Sequence, residues 1–319
     1  MKNRRLIQLM KSAVAVLLLG LGIVFVSCKK DSIPVKTPVG VTTDHHQTAV
    51  TQFVTAGGTK FAYRVLGDKP GIPLVMLSPL GSSMDDWDPA ITNGLAQKYK
   101  VIIFDIQGVG TSGGTTPDNI PDMAKGIASF IKALGYSKVN LMGFSMGSFI
   151  SQQIVLTEPG LVNKIILTGT GPKGSQGLSN LPNILASAAG LSPEQVFLAS
   201  FFASSAASQS AGKSAYERVQ ERQVDRDTPL SGESFTAEVK AVLGWAQPYP
   251  DALKELQSVT QPVLIAQGQE DILVPVVNAI NMSKSLPNAR LTVYPDAGHA
   301  AFFQYHDDFV QKAIEFLGK

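Results

Sequence analysis

Apolar runs of about four residues recur through this chain, at Leu74–Leu77, Val101–Phe104, 139–142 (broken only by Asn140) and 263–266. They are too short to be buried helices and show no polar alternation. Strands covered on both faces fit them best. Stretches with helical spacing separate them, at 89–97, 122–134 and 146–156. Ile127, Phe130, Ile131 and Leu134 fall on one stripe of the second. A further strand is expected at 164–167. The alternation then pauses and resumes with a helix at 276–286, a strand at 291–294 and a helix at 303–317. Strand–helix alternation implies right-handed crossovers and a mostly parallel sheet with helices on both faces. The fold class is therefore α/β. A hairpin is expected at one end, where 53–54 and 60–66 flank Ala56-Gly57-Gly58-Thr59.

The pause, about 170–258, is rich in Ala and Ser and has helical stretches without strand-like runs. It predicts a helical lid inserted into the α/β body of 51–319. At the other end, residues 1–12 carry Lys2, Arg4, Arg5 and Lys11 with no acid. An uncharged apolar run, 13–26, follows, then Ser27 and Cys28. That tripartite pattern predicts an export signal over 1–27. It resembles a bacterial lipoprotein signal, which implies lipid attachment at Cys28 and anchoring to a cell membrane, at the outer membrane or cell surface. Residues 28–50 are polar and rich in Pro and Thr, which predicts a flexible tether with His45 and His46 solvated. The four basic residues of the signal account for the formal +2. The other 23 bases against 25 acids leave a slight acidic excess. Nothing in that balance points to nucleic acid. With one cysteine and four histidines, neither an intrachain disulfide nor a metal centre is expected.

Gly143-Phe144-Ser145-Met146-Gly147 lies between an expected strand and an expected helix. This is the setting of a nucleophile elbow, with Gly143 and Gly147 leaving room for the sharp turn. Serine needs a base to take its proton, and the base needs an acid to orient it. In this architecture the order is Ser, acid, His. Two histidines follow Ser145. His299 comes just after a strand, whereas His306 sits among Gln304, Tyr305, Asp307 and Asp308 and reads as a solvated helix face. His299 is the expected base. Asp271, at the turn after the 263–266 strand, is the expected acid, with Glu270 as its competitor.

Further motifs join these: Ser78-Pro79-Leu80-Gly81 with Trp87, then Asp105-Ile106-Gln107-Gly108-Val109-Gly110-Thr111-Ser112, the 268–275 segment and Gly298-His299. In this order the set resembles the α/β-hydrolase superfamily, in its lid-bearing esterase, haloperoxidase-like and enol-lactone-hydrolase-like branch. Ser78-Pro79 stands where the family usually has His-Gly, and Ile106-Gln107 with Val109 also departs from the common pattern.

The resemblance implies an oxyanion hole made by the backbone N–H groups of Leu80 and Met146. It implies a cofactor-free serine hydrolase for a small to medium apolar ester or lactone. Phe197, Phe201 and Phe202 of the lid are possible pocket residues. The resemblance leaves open a C–C bond hydrolase, a cofactor-free peroxidase-like enzyme and a non-catalytic ligand-binding protein.

Overall fold

The computed structural model describes residues 44–318. The segment expected to be an export signal, 1–27, and Cys28 lie outside the described residues. Eight strands form one sheet in the order β1-β2-β4-β3-β5-β6-β7-β8. They are β1 Gln52–Ala56, β2 Thr59–Leu66, β3 Leu74–Leu77, β4 Val101–Phe104, β5 Val139–Phe144, β6 Val162–Thr168, β7 Val263–Gly268 and β8 Ala289–Tyr294. The first two form the expected antiparallel hairpin, and β2 also runs antiparallel to β4. Its two-residue loop has Gly57 and Gly58 both at positive φ, the geometry that matches strand twist in a tight hairpin. The remaining strands are parallel.

The apolar runs bury both faces because successive side chains point to opposite sides. Val75, Leu77, Ile102 and Phe104 join one core with the helices Ile120–Ala133 and Met146–Thr157. Leu74, Met76, Val101 and Ile103 join the other, with the helices Pro89–Ala96 and His306–Gly318. The chain leaves β3 toward β4 on one side and leaves β5 toward β6 on the other. The sheet's topological switch point is therefore between β3 and β5, where open α/β sheets bind ligands at the strands' carboxyl ends.

Between β6 and β7 the insertion forms the helices Leu181–Ser187, Pro193–Phe201, Ala206–Val219, Gly232–Trp245 and Ala252–Leu256. The last expected helix is two pieces, Ala301–Gln304 and His306–Gly318, broken at Tyr305. The Tyr305 hydroxyl donates to the Pro295 carbonyl, and its ring stacks on Tyr294 at 4.9 Å. Among the described residues, no helix is long and apolar enough to cross a membrane.

The reading of His46 as a solvated tether residue is corrected. His46 is buried, its Nδ1 lies 2.9 Å from Thr92 Oγ1, and its backbone N–H donates to Asn93 Oδ1 at 2.8 Å. The Arg222 guanidinium, from the insertion, takes the carbonyls of His46, Gln47 and Ala49. The described end of the expected tether, 44–50, is thus docked onto the body. The cause is a long-range partner, Arg222, that local composition does not announce.

Candidate active site

Between β5 and the helix Met146–Thr157 stands a single residue, Ser145, with φ 52° and ψ −117°. A non-glycine residue there is strained and persists only where its surroundings fix it. They do: the Ser145 N–H donates to the Thr168 carbonyl of β6 at 2.9 Å, and the Ser145 carbonyl accepts from the Ser148 N–H at 2.8 Å. The two elbow glycines answer to close approach. A Cβ on Gly143 would stand 2.3 Å from the Gly147 carbonyl oxygen, and one on Gly147 would stand 2.0 Å from the Leu77 oxygen of β3. Any side chain at either position would force the backbone apart.

His299 follows β8 and is 1% exposed. Its Nδ1 lies 2.7 Å from Oδ2 of the buried Asp271, which follows β7. Asp271 Oδ1 accepts from the amides of Leu273 (2.9 Å) and Val274 (2.8 Å), and Oδ2 also accepts from Gln267 Nε2 at 2.6 Å. A carboxylate held by this many donors cannot rotate freely and fixes the imidazole that it faces. Nε2 of His299 is buried and has no hydrogen-bond partner. Glu270, the competing acid, points to solvent, and His306 is half-exposed beside Asp307.

The remaining expected groups sit at the same edge. Leu80 is in the turn beyond β3, and Met146 opens the helix beyond β5, the strand paired with β3. As the first helical residue, Met146 has an N–H without an acceptor in its own helix. The next amide along the first turn, that of Gly81, is taken at 2.7 Å by Oε2 of Glu238 from the inserted helix Gly232–Trp245.

Aromatic rings close over the histidine. Phe144 lies 5.1 Å from its ring centroid, and Phe201 stacks at 6.1 Å with 25° between planes. Phe197 packs edge-on against Phe201. Phe202 is different, being buried in the core with Leu198. The insertion is bonded directly to the histidine loop, since the Ala300 N–H donates to the Phe201 carbonyl at 2.9 Å.

Two residues went unassigned in the sequence. Gln267, at the end of β7, donates to Asp271 and accepts from the Thr170 N–H at 2.9 Å, tying the acid turn to the loop after β6. A polar residue ending a wholly buried strand is its only sequence signal. Glu238 is fully buried within an amphipathic helix, and burial pushes its carboxyl from an ordinary 4.5 up to about 8. A surface hollow of about 440 Å³ beside Lys132, Tyr136 and Glu158 lies before β5 and β6, at the opposite edge from Ser145. Among the described residues no three His, Cys, Asp or Glu are grouped to hold a metal ion.

The family model for the alpha/beta hydrolase fold matches residues 72–304. An alpha/beta hydrolase fold protein from Chitinophaga pinensis is 39% identical, with a TM-score of 0.83, over 85% of this chain and 98% of that one. A poly(3-hydroxyalkanoate) depolymerase of Ectopseudomonas oleovorans is 28% identical over 231 residues, 71% of this chain and 77% of that one. A pimeloyl-[acyl-carrier protein] methyl ester esterase of Nitrosomonas europaea is 24% identical over 246 residues, 75% of this chain and 93% of that one.

Proposed function

Since the chain belongs to the alpha/beta hydrolase fold family, we propose that it is a serine hydrolase. Its substrate is a small to medium apolar carboxylic ester or lactone, and an acyl-enzyme forms on Ser145. One observation carries the reading. Asp271 engages Nδ1 of His299, and this leaves the buried Nε2 free of any partner, at the edge where the strained Ser145 turn is built.

In this reading His299 Nε2 takes the Ser145 hydroxyl proton as Oγ attacks the acyl carbon. The amides of Leu80 and Met146 receive the developing oxyanion, each worth about 100- to 1,000-fold in rate. His299 then returns the proton to the leaving oxygen, activates water against the acyl-enzyme and regenerates the free serine. Asp271 stabilises the imidazolium throughout. The rings of Phe144 and Phe201 beside His299 favour an apolar group over a charged one. The methyl ester in the name of one relative is consistent with the same bond type.

The test is labelling by a fluorophosphonate probe together with turnover of p-nitrophenyl esters. Both are expected of the native protein and neither of Ser145→Ala. Full hydrolysis by that variant would end the proposal.

Attachment of the chain to a membrane through lipid on Cys28 is a separate proposal, resting on the sequence pattern of 1–28. Incorporation of a labelled lipid precursor, abolished in Cys28→Ala, is its expected signature.

A further inference from the structure

The inserted helix Gly232–Trp245 spans the site from one side to the other. At its first turn the Ser234 hydroxyl donates to the Gly108 carbonyl at 2.7 Å. A Cβ on Gly81 would stand 3.2 Å from the Phe235 ring. At its last turn Trp245 Nε1 donates to the Gly171 carbonyl at 3.3 Å, and the indole stacks on Phe149 of the nucleophile helix at 5.4 Å. Glu238 is at the middle of this span. It is 0% exposed, its Oε2 accepts from the Gly81 N–H at 2.7 Å, and its Oε1 is buried with no partner.

No cation balances this carboxyl. The turn 78–83 and the helix Met146–Thr157 carry no ionisable side chain. On its own helix Glu233 and Lys240 are exposed, and Lys240 pairs with Asp118 at 3.0 Å. On the neighbouring helix Ile120–Ala133 the ionisable groups are Asp122, Lys125 and Lys132, all exposed, and the 178–180 turn has none. His299 and Asp271 face each other across the site. One backbone N–H does not offset a buried carboxylate, so the neutral acid is the favoured form.

We propose that Glu238 is a positioning residue for the oxyanion-binding turn and works as the uncharged acid. Its carbonyl oxygen holds the Leu80–Gly81 peptide so that the Leu80 N–H faces the acyl oxygen, and its proton resides on Oε1. Losing that proton places a negative charge beside the developing oxyanion, where little water screens it. This inference rests on the serine-hydrolase reading above. It makes the site's activity fail at alkaline pH through a group outside the triad.

The experiment is the pH dependence of kcat/KM on a p-nitrophenyl ester for the native protein, Glu238→Gln and Glu238→Ala. The native protein is expected to lose activity above pH about 8, by about tenfold per pH unit. Glu238→Gln keeps an acceptor for Gly81 but cannot ionise, and is expected to hold its plateau. Glu238→Ala is expected to fall by about 10- to 100-fold at every pH, a loss that Gln rescues. A native profile that stays flat through the alkaline range, or an alkaline limb shared by native and Gln proteins, overturns the proposal. Should both variants fail to fold, the native profile decides. A limb near 8 with an infrared carboxyl band titrating alongside it supports the proposal, and a plateau rejects it. Absence of turnover and of fluorophosphonate labelling in the native protein defeats the hydrolase reading itself, and this inference with it.

Discussion

Asp271 gives one oxygen to His299 and the other to the backbone. Oδ2 is 2.7 Å from Nδ1, while Oδ1 takes the Leu273 and Val274 amides. The backbone fixes the carboxylate, and the carboxylate fixes the imidazole. Asp271→Asn is expected to lower kcat by about 10⁴-fold, the cost of the wrong imidazole tautomer in a serine triad. Glu270→Gln is expected to stay near native, since that side chain faces solvent. Steady-state rates on a p-nitrophenyl ester separate the two, and the reverse result would reassign the acid.

Gly147→Ala tests the elbow. Its Cβ would stand 2.0 Å from the Leu77 carbonyl oxygen, which belongs to β3 and has no room to retreat. The variant is expected to lose several kcal/mol of stability, about 3 or more, by backbone overpacking. Urea denaturation measures it. A midpoint equal to that of the native protein would contradict the geometry.

Gln267→Leu removes both ends of the bridge between Asp271 and the Thr170 amide. A buried N–H left without its acceptor costs about 1–3 kcal/mol. A looser carboxylate is expected to reduce kcat by about tenfold, equivalent to ~1.4 kcal/mol. Both effects should appear together, in denaturation and in ester kinetics.

Burial holds His46 at about 4, below its ordinary 6.5. Between these values the unfolded chain binds a proton that the folded one refuses. Stability from this group is complete above 6.5 and drains away as pH falls toward 4, by about 3 kcal/mol in all. The urea midpoint should therefore fall more steeply between neutral and acid pH for the native protein than for His46→Gln. Equal slopes would place the imidazole in water.

Arg64 is buried on β2 against Asp85, with its Nε donating to Thr51 Oγ1 at 3.0 Å. Arg64→Met leaves Asp85 with the Asp227 N–H at 2.6 Å and with Arg222, 3.6 Å away, as its one cation among the described residues. A loss of about 3–5 kcal/mol is expected, the cost of stranding a buried charge, and calorimetry would detect it as a lower Tm.

The α/β class was legible because β3 and β4 are wholly apolar and short, and β5 and β7 nearly so with Asn140 and Gln267 as the polar exceptions, a pattern that two-sided burial imposes. The placing of Ser145 and Asp271 just beyond such strands, and of His299 beyond the half-buried β8, was legible from their fixed order along the chain. Glu238 and Gln267 were not. Each earns its place through a partner more than 90 residues away in sequence, Gly81 or Thr170. Side-chain type alone describes neither environment. His46 was misjudged for the same reason, because Arg222 lies 176 residues away from it.

Arg222 also ties the segment ahead of the first strand to the body. Its guanidinium is roofed by carbonyls of 46–49, and Arg64 reaches Thr51 beside them. A chain trimmed to the first strand would take three carbonyl acceptors from Arg222 and the Thr51 hydroxyl from Arg64. Residues 46–51 therefore belong to the folded body, although they precede all the strands. Joining the α/β body to any other carrier would need those few residues kept as part of its foundation.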